Sequence, residues 1–78
     1  MHEWLEQARA NLAGAVDGSP DDYELTQADV DLLLELARIA AHESGERTNA
    51  PLVCYLVGLA RGRHGGDLSA LVAASVRK

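Results

Sequence analysis

Glu35, Arg38 and His42 stand at i, i+3 and i+7, a spacing that puts all three on one side of a helix. Arg47 follows in the next polar segment, Asn49 precedes Pro51, and Cys54 and Tyr55 are adjacent. Several chemistries can be assembled from these types. Guanidinium forks beside an imidazole suit carboxylate or phosphate recognition. His42 with Glu43 and Glu46 has the residue types of a metal site, and Cys54 with His42 those of a nucleophile and its base.

Spacing argues against the last two. A zinc-binding helix of the H-E-x-x-H kind needs a second histidine where Glu46 stands, and Gly45 breaks the helix between them. His2 and His64 bear no spacing relation to His42. Cys54, set among Leu52, Val53 and Leu56, reads as a small hydrophobe rather than a reactive thiol. No nucleophile elbow, P-loop or dinucleotide fingerprint is present. The run RGRHGGD (61–67) sets glycines before a helix start, as phosphate sites do, but Asp67 puts its own carboxylate where the anion would sit. It reads better as a glycine stop followed by an N-cap. No catalytic, metal-binding or cofactor-binding residue is expected, and no cofactor.

The polar set itself has two readings. In one, Glu35 and Arg38 form an ion pair while Arg47 or Asn49 bonds the last carbonyls of the helix. In the other, Glu35, Arg38, His42, Arg47, Asn49 and Tyr55 form an interaction patch that reads an acidic or phosphate-bearing partner.

Four helices must position these residues. The first is expected from about His2 to Val16, with Trp4, Leu5, Ala8, Leu12 and Ala15 on its apolar side. DGSPDD (17–22) ends it as a turn cluster, and Tyr23 and Leu25 pack as the chain enters the next helix. Thr26 caps that second helix, with Asp29 in a capping-box position, and Gly45 ends it. Val30, Leu33, Leu34, Ala37, Ala40 and Ala41 form one face, and Leu32, Leu36 and Ile39 a second, which makes this the central helix. Pro51 suits the first turn of a third helix, with Leu52, Tyr55, Leu56, Leu59 and Ala60 expected inward. Gly58 and Gly62 would admit a close backbone there. Asp67 caps a last helix that turns Leu68, Leu71, Val72 and Val76 to the core. The expected fold is all-α, a small four-helix bundle with short connections, forming a single domain over 1–78.

Seventy-eight residues leave no room for a second core, and stability should lie at about 4–12 kcal/mol. A deep closed active site would compete with the core for volume, so size favours a binding role. One cysteine rules out an internal disulfide. The beginning of the chain lacks the pattern of a secretory signal and no apolar run approaches the ~20 residues of a membrane span, so a soluble cytoplasmic protein is expected. The net charge of −5 disfavours nucleic acid. Its distribution is uneven. Residues 1–35 hold nine acids and one base, Arg9, whereas 36–78 hold six bases and three acids. Either the halves attract each other within the fold, or the second half faces an anionic partner.

At A-R-x-x-A-H (37–42), E-R-x-x-A-P-L (46–52) and Y-L-x-G-x-A (55–60), the chain resembles a small actinobacterial helical domain family of unknown function. That family occurs alone or attached to proteins resembling the molybdenum-cofactor guanylyltransferase, which joins a guanine nucleotide to molybdopterin. The likeness covers roughly residues 4–62; Ile39 stands where the family has aspartate and Thr48 where it has proline. The resemblance implies an accessory role near molybdenum-cofactor maturation and marks Arg38, His42, Arg47, Pro51 and Tyr55; Glu35 joins them on spacing alone. It does not imply transferase activity, because the transferase's nucleotide loop and magnesium-binding aspartates are not in this chain. Three roles are therefore expected in turn: a non-catalytic interaction or regulatory module with a protein partner such as a cofactor-assembly enzyme; a domain binding a phosphorylated pterin or nucleotide; or a structural homodimer joined through Gly58 and Gly62.

Overall fold

Local caps set the start of the second and of the last helix, and the end of the second, in the computed structural model, which describes residues 3–77 (Pro20 by its backbone alone). The expected helix start at His2 lies outside the described residues, as do Met1 and Lys78. Four α-helices follow among the described residues: α1 Glu3–Ala15, α2 Gln27–Ser44, α3 Asn49–His64 and α4 Leu68–Ser75, with a 3-10 turn at Pro20–Tyr23. The all-α expectation is met, in a small bundle.

The start of α2 is as read. Thr26 Oγ1 accepts from the Asp29 amide at 3.1 Å, and Asp29 Oδ2 accepts from the Thr26 amide at 3.0 Å. Gly45 closes the helix in the left-handed region, φ 75°. Asp67 caps α4, accepting from the Ala70 amide at 3.3 Å and from the Ser69 hydroxyl. Those bonds, the Ser69 bond first, hold its carboxyl below the usual aspartate range.

The core gathers around Leu36, which is fully buried on α2. Val57 from α3 and Leu68 and Val72 from α4 close on it, with Leu32, Leu33, Val53, Cys54, Leu71 and Val76 packed around them. Thus α2 touches both α3 and α4, and is central as expected. Leu34 departs from its expected face and is exposed.

The inward side of α3 is a correction. Val53, Cys54 and Val57 face the core, while Leu52, Tyr55 and Leu56 are exposed. The segment 52–57 is apolar without a break, so a period of 3.6 cannot select its buried side. Contact with α2 selects it: Cys54 Sγ lies 3.9 Å from the Leu33 carbonyl. A Cβ at Gly58 or Gly62 would meet nothing within 4 Å, so no segment within the chain approaches either closely.

The first helix gives the other correction. Trp4 (78 % exposed) and Leu12 (59 %) do not enter the core, and Ala13 is the buried residue of α1. After α1 the chain turns through Asp17 at φ 56°, and the Gly18 amide donates to the Ala13 carbonyl at 2.7 Å. Ser19 and Asp22 then cap the 3-10 turn reciprocally. This folds the DGSPDD segment back onto α1, and among the described residues α1 packs on the 3-10 turn and on no other helix. The radius of gyration, 13.2 Å, exceeds the about 11.5 Å of a compact chain of this length.

Two outcomes are expected. Leu36→Ala should lower the unfolding free energy by about 2–5 kcal/mol in a urea titration, a large share of what a chain this size has. Gly58→Ala should raise it by up to about 1 kcal/mol, because Ala is the better helix former and the added methyl meets no neighbour.

Candidate functional site

On α2, the turns that bury Leu36 and Ala40 necessarily turn Glu35, Arg38 and His42 outward, and all three are exposed. Arg38 Nε donates to Glu35 Oε2 at 3.2 Å, and a second guanidinium nitrogen donates to Oε1. The fork is therefore occupied by a carboxylate of the same helix. The Arg38 hydrogen bond holds the Glu35 carboxyl below its usual range, and Glu35 in turn raises Arg38.

The rest of the set is placed near the link but not joined to this pair by a hydrogen bond or ion pair. Arg47 is an exposed turn residue, and Asn49 is half-buried as the first residue of α3. Tyr55, 67 % exposed, sits on the outward side of α3. Neither the Arg47 nor the Asn49 side chain bonds the last carbonyls of α2; the polar side chain at this end is Ser44. Its hydroxyl donates to the Ala40 carbonyl at 2.6 Å and accepts from the Glu46 amide at 3.2 Å. Arg47 contributes its backbone instead: the Asn49 and Ala50 amides donate to the Glu46 and Arg47 carbonyls at 3.1 Å each. Pro51, next in line, has no amide to satisfy.

Cys54 is half-buried, and burial pushes its thiol up, away from the thiolate a nucleophile requires. Among the described residues no side chain that is polar or charged is buried, and no group of three His, Cys, Asp or Glu is placed to hold a metal ion. No helix among them is long and apolar enough to cross a membrane.

Two grooves stand out, and neither is lined by any of the six patch residues. The larger, about 540 Å³, lies between α1 and the 3-10 segment, floored by Leu5, Ala8, Leu12, Tyr23 and Leu25. Glu6, Arg9, Asp22 and Glu24 complete its lining. Arg9 pairs with Glu6 at 2.7 Å, while its buried Nε has no hydrogen-bond partner. In the sequence this groove is marked by Arg9 alone, the one base among nine acids in residues 1–35.

The family model described as "Domain of unknown function (DUF6457)" matches residues 1–78. The chain belongs to this family. No curated protein and no solved structure matches it. The DUF6457 match covers the α1 groove as well as the polar residues of α2 and the link.

Because Arg38 lowers the Glu35 carboxyl, an NMR titration should find Glu35 ionising below the ordinary glutamate range, and Arg38→Ala should return it there. The pair's small contribution to stability is present above the unfolded-state value and is lost as pH falls through the depressed folded one.

Proposed function

We propose that this chain is a non-catalytic interaction module that docks onto a larger protein through the outward face of α2 and the adjoining link. One observation carries the choice of a protein partner over a small ligand: Glu35, Arg38, His42, Arg47, Asn49 and Tyr55 line neither groove, and Glu35 already fills the Arg38 fork. Small-molecule sites are concave and largely apolar, whereas polar side chains lying outside any groove suit contact with a protein surface. Arg47, exposed in the link, offers a cationic contact to an acidic partner, and the exposed His42 ring offers a hydrogen-bonding one.

The partner proposed is a molybdenum-cofactor guanylyltransferase or a related cofactor-assembly protein of the cytoplasm. The motifs at 37–42, 46–52 and 55–60, with their likeness to the actinobacterial domains attached to such proteins, support that reading. The module would regulate or position the larger protein and carry out no reaction itself.

Surface-immobilised chain and a purified molybdenum-cofactor guanylyltransferase test this directly. The native chain should retain the enzyme, and an Arg38→Ala/Arg47→Ala double variant should weaken binding by about ten-fold or more. Equal retention by both would remove the patch as the docking surface. Thermal shift with guanine nucleotides and molybdopterin precursors at millimolar concentration should show no stabilisation; a rise in Tm would favour the phosphorylated-ligand reading instead.

A further inference from the structure

The α1 groove and the outward side of α3 are unpartnered for opposite chemical reasons, and each fits the other. The groove has an apolar floor with Leu12 and Tyr23 exposed, and Glu6, Asp22 and Glu24 among its lining residues. On α3, Leu52, Leu56, Leu59 and Arg63 follow one another at i, i+4, i+7 and i+11, a single stripe along the helix. Leu52 and Leu56 are exposed, and residues 49–64 contain no acid, with Arg61 and Arg63 in the last turn. A helix with an exposed leucine stripe and a basic end is an occupant that an acid-lined apolar groove accepts.

The two surfaces do not meet within one chain. Among the described residues α1 packs on the 3-10 turn alone, and the Thr26–Asp29 cap pins the short segment that joins it to α2. The accessible surface measures the consequence. The chain exposes 5930 Å², against about 4,600 Å² for a compact monomer of its 8.3 kDa mass. The excess, about 1,300 Å², is of the size each partner buries in a stable interface, about 800 Å² or more.

We propose that the α1 groove receives α3 of a second copy of this chain, and that the exchange is reciprocal. Two equivalent contacts related by a two-fold axis then close the dimer, leaving no open end for further addition. In each contact the leucine stripe covers the groove floor, and Arg63 meets the carboxylates of Asp22 and Glu24. The inference uses neither Arg38 nor Arg47, so it stands or falls apart from the docking patch.

Analytical ultracentrifugation of the full chain, with two exposed positions changed, tests it. The native chain should sediment at twice the 8.3 kDa chain mass and dissociate on dilution. Leu12→Asp, which spoils the groove, and Leu56→Asp, which spoils the stripe, should each raise the dissociation constant by at least about a hundred-fold while circular dichroism stays native. An equimolar mixture of the two should recover a heavier species at high concentration, because one intact groove then meets one intact stripe. A native chain that remains monomeric at millimolar concentration overturns the proposal. So does a dimer that survives Leu12→Asp but not Leu56→Asp, the signature of α3 packing on α3 through Gly58 and Gly62. A mixture with no heavier species than its components also overturns it.

Discussion

Leu36 is where three helices meet, and its burial constrains the rest of the molecule. It is the largest fully buried side chain, held between Val57 of α3 and Leu68 and Val72 of α4. Once α2 commits that side to the core, its opposite side is fixed as the outward one. Glu35, Arg38 and His42 then have to face solvent, whatever role they serve. The same commitment turns Val53, Cys54 and Val57 inward on α3 and leaves Leu52, Tyr55 and Leu56 outside.

Features settled by four or fewer residues were legible in the sequence. The Thr26–Asp29 box, the Gly45 stop, Pro51 in the first turn of α3 and the Asp67 cap are local reciprocities that need no knowledge of the fold. The Glu35–Arg38 pair was legible for the same reason. What depended on distant contacts was not. An apolar run with no polar interruption hides which side of α3 is buried. The periodicity of α1 marks its apolar side but says nothing of what covers it. The expectation that Arg47 or Asn49 would bond the last carbonyls of α2 rested on chemistry alone, and the geometry of the link, set by backbone bonds from Asn49 and Ala50, does not bring their side chains there.

Incomplete burial links the fold to the proposed roles. The chain hides about half of the surface its unfolded form would show, less than the about 60 % usual even for 60-residue domains. Each exposed leucine on α1 and α3 is therefore hydrophobic free energy that association can still release. A partner that binds only the folded form adds to stability in proportion to the logarithm of its concentration over Kd. The stability of such a domain becomes a function of its company. A catalytic site would ask the opposite of this scaffold: polar groups withdrawn from water and held rigid by packing around them. The core that Leu36, Val57, Leu68 and Val72 form lies among α2, α3 and α4, so the groups it can hold rigid by packing are those on these three helices, and α1 adds exposed surface instead.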